Sequence, residues 1–393
     1  MNKLDGMQNF TQDDKKIQIV YTWWTFLSTE SEDGSRAIWN IDEKLPAVLT
    51  ATMDELKKIF NIEETEIYKI DSSDLSLDHL YKLKNFIETS EEKNKNSISD
   101  YIIVHGTDTM EYTASYLSLA FPNFEKNIIL TGSMIPVGSK NSDAIPNLFK
   151  SLVLSGEKKP GVSVVFGDKC IKWINASKQD SVWVNAFDSI SSPPQYTIIT
   201  NPDGHENVSN GKEYVFQWNR YVIKENVDTE NQLLRNNDHY PKELARELLD
   251  TLNSNIDIIT LFPGYNYDNF DSYIDRGIEW LIIKWYWDGN VPQDKKFYEK
   301  LKKLKDSWIL VILETQVPNG KLLHNYEGAR NLLDNGLAIS AGNLSHSTVV
   351  IKLMLALWDK NKKITEGKFV SNEEALEYTK QIFKTDFAWE YSK

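Results

Sequence analysis

The segment His105-Gly106-Thr107-Asp108-Thr109-Met110-Glu111 follows directly on the apolar run Tyr101 to Val104 and opens a helical pattern. A hydroxyl becomes a nucleophile only beside a group that takes its proton. It also needs donors aimed at the developing oxyanion, and a helix N-terminus supplies backbone N–H groups for that. Thr107 and Asp108 sit where a strand hands over to a helix, and Gly106 allows backbone to approach a ligand closely. Capping of the helix by Thr107, Asp108 or Thr109 explains the same residues without chemistry, so this segment alone leaves both readings open.

Other strand ends carry similar residues. Tyr21-Thr22-Trp23-Trp24-Thr25 ends the first apolar run, Asp71-Ser72-Ser73-Asp74 follows an early turn, and Thr131-Gly132-Ser133-Met134 ends the run Asn127 to Leu130. Hydroxyls recur in all of them. In doubly wound sheets, ligands bind beyond the carboxyl ends of the strands, which is where these segments lie.

The elements that must position them alternate. Apolar runs at Ile17 to Tyr21, Tyr101 to Val104, Asn127 to Leu130 and Val162 to Phe166 are interleaved with helical patterns. Those patterns span Ala51 to Phe60, Asp78 to Ile87, Met110 to Leu119 and Asp143 to Leu154. Such alternation predicts a parallel sheet covered on both faces. From Asp188 to Asn255 it weakens into a connecting region, with a hairpin (Tyr214 to Trp218, Tyr221 to Lys224) and a helix (Lys242 to Leu252). It resumes with strands at Ile256 to Leu261, Trp280 to Trp285 and Trp308 to Leu313. Helices are expected at Asn269 to Arg276, Lys295 to Leu304, Tyr326 to Asn335 and Ser347 to Trp358. The expected organisation is a larger N-terminal α/β domain over 1–187, a connection over 188–255, and a smaller C-terminal α/β domain over 256–393.

Composition narrows the function classes. At 393 residues the chain has room for about two or three domains. Its 44 basic and 57 acidic residues give a net charge of −13, which repels phosphate backbones, and no long basic stripe offsets it. The single Cys170 excludes an internal disulfide and a cysteine-rich zinc site, and reads as a buried bystander. No run approaches the roughly 18 apolar residues of a membrane span. The polar start, Met1 to Lys16, lacks a signal-peptide core, so a cytoplasmic location is expected. The 12 Trp stand out, and their positions matter below.

The segment from His105 to Glu111, extended by Tyr112-Thr113-Ala114, resembles a signature of the L-asparaginase family. Thr131-Gly132-Ser133-Met134-Ile135-Pro136 with Ser142-Asp143-Ala144 and Asn147-Leu148 resembles the family's next block. Asp71-Ser72-Ser73-Asp74 resembles its substrate-carboxylate loop, in the form seen in cytoplasmic bacterial type I enzymes. Asn185-Ala186-Phe187, Pro193-Pro194, Leu261-Phe262-Pro263-Gly264, Gly289-Asn290-Val291-Pro292 and Gln316 fit later blocks, so the similarity runs over most of the chain.

The resemblance implies a large parallel-sheet domain followed by a smaller Rossmann-like one. It implies hydrolysis of a side-chain amide of L-asparagine or a related amide, with release of ammonia. Thr25 stands at the position of the family's nucleophile, and Thr107, Asp108 and Lys178 match its activating Thr-Asp-Lys set. Ser72 and Ser73, with Asp108 and Gly106, match the substrate-binding positions, and Trp23 and Trp24 flank them. No metal or organic cofactor is implied, and a homodimer or homotetramer acting on a small amide is expected, with no nucleic acid or membrane partner.

The sequence also departs from the family. Trp23-Trp24 replaces the Gly-Gly of the nucleophile motif. Trp173 and Trp183 flank the Lys178 segment, and Trp285-Tyr286-Trp287 replaces a Tyr-Gly-x segment. Asn343-Leu344-Ser345-His346-Ser347 stands where the family has Asp-Met-Thr and then Glu. Two readings follow: aromatic residues that repack a core or interface, or Trp walls that remodel the active site. His346 reads as an exposed or capping residue and His105 as structural. The alternative to an amidohydrolase is an altered or inactive asparaginase-fold protein that binds a ligand or partner.

Overall fold

The structure is a computed structural model that describes residues 16–22, 29–30, 36–37, 47–94, 97–122, 124–157, 159–190, 192–200, 212–216, 219–226, 254–286, 290–318 and 327–384. The chain divides into two compact units, Met1–Leu233 and Leu234–Lys393.

Among the described residues, the first unit is built on a nine-stranded sheet. In chain order its elements are β1 (Lys16–Tyr21), the short antiparallel pair β2 (Thr29–Glu30) and β3 (Arg36–Ala37), α1 (Ala47–Leu56), β4 (Ile62–Glu66) and α2 (Leu77–Asn94). Then come β5 (Ile98–Val104), α3 (Met110–Ala120), β6 (Asn127–Thr131), α4 (Ala144–Glu157) and β7 (Gly161–Phe166). The unit continues with β8 (Lys169–Lys172), β9 (Ala176–Lys178), β10 (Phe187–Ser189), β11 (Tyr196–Thr200), β12 (Lys212–Phe216) and β13 (Asn219–Glu225). The sheet order is β12-β13-β11-β8-β7-β6-β5-β1-β4.

The half from β4 to β7 is parallel, as the alternation predicts. Its central strands read as unbroken apolar runs because both faces are covered. Tyr101, Ile102, Ile103 and Val104 are all fully buried. Strand β1 lies between β4 and β5, so the chain goes first to one side of it and then to the other. In sheets of this kind ligands bind at such a reversal, beyond the carboxyl ends of the strands, here β1 and β5.

The other half is antiparallel, and a tight turn at Gly167-Asp168 begins it. Gly167 has φ +58°, and a Cβ there would stand 2.1 Å from Asn185 Oδ1. The expected connecting region over 188–255 supplies further strands to this half, its expected hairpin among them. Strands β11 and β13 extend the large sheet, with Tyr196 opposite Cys170, and β12 closes a hairpin on β13. Antiparallel strands need no crossover helix, so a search for strand–helix alternation passes over them. The expected helix Lys242 to Leu252 lies outside the described residues.

Among the described residues, the second unit holds four parallel strands in sequence order: β14 (Ile256–Thr260), β15 (Trp280–Trp285), β16 (Leu310–Thr315) and β17 (Ile339–Ser340). Its helices are α5 (Phe270–Asp275), α6 (Lys295–Asp306), α7 (Glu327–Asp334), α8 (His346–Thr365) and α9 (Asn372–Lys384). Asp294 caps α6 by accepting from Lys296 N at 2.7 Å and Phe297 N at 3.3 Å. Phe297 then packs edge-on against Trp285, with ring centroids 5.5 Å apart.

The Trp substitutions separate on these grounds. Trp173 and Trp285 are buried in the cores of their own units, as the packing reading has it and against the expectation that they line a site. Trp183 is exposed. Trp23, Trp24 and Trp287 lie outside the described residues.

Candidate active site

Strand β5 delivers the first residues of the site. Its end is tied to β1, because Thr22 donates from both its backbone N and its hydroxyl to Val104 O, at 3.0 and 3.1 Å. His105 then turns inward. Its Nδ1 stands 2.7 Å from Gly106 O, which can only accept, so Nδ1 carries the proton. Nε2 is therefore the acceptor for the Thr113 hydroxyl at 2.9 Å. The imidazole thus pins the Gly106 peptide to α3, the structural role expected for it.

Burial lowers the His105 pKa from 6.5 to about 4. An unfolded histidine takes its proton near 6.5, so between these values the unfolded chain holds the extra proton. The stability that His105 contributes is complete above pH 6.5 and is lost as the pH falls toward 4, a loss of about 3 kcal/mol. A His105→Gln variant is therefore expected to show a flatter fall in thermal midpoint between pH 7 and pH 4. Parallel curves for the two proteins would contradict it.

The Ser72 loop is pressed onto this turn. A Cβ on Gly106 would stand 2.6 Å from both Ser72 Cβ and Ser72 Oγ, so only glycine fits. Thr109 donates its hydroxyl to Ser72 O at 2.8 Å, and Asp108 N donates to Ser72 Oγ at 3.2 Å. Asp71 shapes the loop by accepting from Ser73 N at 2.9 Å and Ser73 Oγ at 2.8 Å. Ser72 is buried and Ser73 exposed. Thr109 therefore clamps the loop and makes no side-chain cap on α3.

The loop after β6 is seated by α4. Asp143 accepts from Met134 N at 3.0 Å and Ile135 N at 2.9 Å, while Asn147 donates to Gly132 O at 3.0 Å. These residues of the second sequence block hold a loop in shape.

The decisive contact comes from far along the chain. Lys178 ends β9 and donates from Nζ to Thr107 Oγ1 at 2.8 Å and to Asp108 Oδ1 at 2.6 Å. The Thr107 side of this contact is buried, whereas the Asp108 side chain is 56% exposed. The arrangement thus joins a hydroxyl, an amine and a carboxylate, with one end open to a ligand. Thr107, Asp108, Lys178, Ser72 and Gly106 come together; Thr25, Trp23 and Trp24 lie outside the described residues.

Two residues stand differently from their sequence expectation. His346 is the first residue of α8, whose N-cap is Ser345, and its Nδ1 meets Glu314 Oε2 at 2.8 Å. It is half-buried and paired with a buried carboxylate, so it is neither an exposed nor a capping residue. Glu111, which the motif contains but no chemical argument singled out, accepts the Lys178 backbone N–H at 2.8 Å. Among the described residues no group of His, Cys, Asp and Glu is placed to hold a metal. Nor is any helix among them long and apolar enough to cross a membrane.

The asparaginase N-terminal family model matches residues 16–209, and the glutaminase/asparaginase C-terminal domain model matches residues 255–366. The chain belongs to the asparaginase family. As a member of it, the protein is an amidohydrolase. It is 24% identical to L-asparaginase 1 of Escherichia coli over 341 residues, which cover 86% of this chain and 90% of that one. It is 27% identical over 368 residues to a glutamyl-tRNA(Gln) amidotransferase component of Methanococcus maripaludis, covering 88% of this chain and 77% of that one. The solved thermostable L-asparaginase from Thermococcus kodakarensis superposes with a TM-score of 0.72 at 25% identity, over 96% of this chain and 99% of that one. The two α/β units, large and then small, are those of the asparaginase fold.

Proposed function

We propose that this asparaginase-family protein hydrolyses the side-chain amide of L-asparagine or a close relative, with Thr25 as the nucleophile. The observation that carries the reading is Lys178 Nζ bridging Thr107 Oγ1 and Asp108 Oδ1 at the carboxyl end of β5. A lysine held between a hydroxyl and a carboxylate has a path along which a proton moves.

In this reading Thr25 Oγ1 adds to the amide carbon while its proton passes to the Thr107–Lys178–Asp108 relay. Backbone N–H groups beside Thr25 and Thr107 stabilise the oxyanion. The relay then protonates the amide nitrogen, the C–N bond breaks and ammonia leaves. Water next adds to the acyl-enzyme and returns a proton to Thr25, which frees the carboxylic acid. Ser72 and Ser73 take the substrate carboxylate, the exposed Asp108 carboxylate takes its ammonium, and Gly106 lets the backbone approach. Trp23 and Trp24, at the Gly-Gly positions of the family's nucleophile motif, are the residues expected to set which amide is accepted. The acting form is a homo-oligomer of the cytoplasm, its mass measurable by light scattering.

The test is ammonia release from L-asparagine, L-glutamine, D-asparagine and asparagine-containing peptides. Turnover of at least one supports the reading, and turnover of none at high enzyme concentration overturns it. Ligand-dependent change of Trp emission without product would favour a binding protein on the same scaffold. A Thr25→Ala variant as active as the parent would remove Thr25 from its role.

A further inference from the structure

Lys178 is held at two points, and only one of them is its amine. The hairpin β9–β10 is a two-stranded sheet of its own. Gln179 N donates across it to Ala186 O at 2.7 Å, and Ile190 N donates back to Asn175 O at 2.9 Å. Backbone groups along a strand face alternate sides. The N–H of Lys178, one residue before Gln179, therefore points away from β10, toward an edge with no further strand among the described residues. An amide left there needs an acceptor. It finds Glu111 Oε2 at 2.8 Å, from the first turn of α3.

Glu111 in the first turn of α3 and Asp108 just before that helix both meet Lys178. One takes the ammonium of Lys178 and the other takes its amide. A carboxylate at a helix N-terminus is stabilised where it stands, and a carboxylate–amide bond is stronger than a neutral one. We propose that Glu111 is a positioning residue that fixes the backbone of Lys178, so that the ammonium reaches both Thr107 and Asp108. This rests on the reading of Lys178 as part of the proton relay.

The bond itself is read without any turnover, by deuterium exchange in the peptide carrying the Lys178 amide. Glu111→Ala is expected to speed exchange at that amide at least tenfold, whereas Glu111→Gln, whose amide oxygen still accepts, keeps it near the parent rate. With L-asparagine as substrate, Glu111→Ala is expected to lower kcat by about 10- to 100-fold with KM within threefold. Glu111→Gln should restore kcat to within about threefold, and on a Lys178→Ala background Glu111→Ala should cost nothing further. If Glu111→Ala fails to fold, Glu111→Asp, which draws the carboxylate back by one methylene, must show the same kcat loss.

Unchanged exchange in Glu111→Ala overturns the inference. So does a kcat within twofold of the parent, a Glu111→Gln variant as impaired as Glu111→Ala, or an undiminished loss on the Lys178→Ala background. A Lys178→Ala variant with full activity would instead overturn the relay reading, while the exchange result would still report on the Glu111 bond.

Discussion

Replacing Lys178 with Met is expected to lower kcat for ammonia release by about a thousandfold and to leave KM within a few-fold. Methionine keeps most of the length and apolar stem of lysine but cannot donate, so the bonds at 2.8 Å to Thr107 and 2.6 Å to Asp108 are lost without opening a large void. If the amine only neutralised Asp108, arginine would serve as well. Arginine stays charged at any working pH and cannot pass a proton on, so Lys178→Arg is expected to remain at least about a hundredfold below the parent. Steady-state kinetics of the three proteins on L-asparagine decide the matter. A Lys178→Met variant within tenfold of the parent would remove the lysine from the chemistry.

The second large effect is one of packing. A Cβ on Gly132 would stand 2.2 Å from the backbone oxygen of His105. That oxygen belongs to the turn out of the central strand β5, so it cannot swing aside as a side chain would. Gly132→Ala is expected to cost about 3 kcal/mol, the upper end for an overpacked core. For a unit of this size that is a fall in thermal midpoint of roughly 6–12 °C. The control is Gly156, in helix α4, where a Cβ would meet nothing within 4 Å. Gly156→Ala is expected to raise stability by about 0.5–1 kcal/mol. Calorimetry of both variants tests the pair, and a Gly132→Ala midpoint within 2 °C of the parent would show that the turn yields.

Much of this was legible in the sequence, and the physics says which parts. Buried parallel strands declare themselves as apolar runs: β5, β6, β7 and β15 lie where Tyr101 to Val104, Asn127 to Leu130, Val162 to Phe166 and Trp280 to Trp285 predict. Strand β4, with its sequence Ile-Glu-Glu-Thr-Glu, sits at the edge of the sheet and carries no such signal. Helix α9 escaped because its buried face carries only Ala375, Thr379 and Phe383, a faint apolar stripe in an otherwise polar sequence. Within the site, Thr107, Asp108 and Lys178 came from the motif, and the structure brings them into contact. Glu111 did not stand out, because its value depends on which way one amide of a distant hairpin faces. The tautomer of His105 was likewise hidden, since it follows from a carbonyl oxygen that only the fold brings near.

The place of β1 in the sheet also governs how the protein comes to be made. Ile17 pairs with Ile62 on one side and with Asp100 on the other, so β1 is flanked by two strands that are both synthesised after it. Ile19 and Val20 are completely buried in the finished sheet but have no partner until then. Loop closure over such separations is slow, and an apolar strand waiting for it is a site of misassembly. The carboxyl ends of β1 and β5 thus cannot come together until β5 has emerged, and until then the apolar face of β1 is open to wrong pairing.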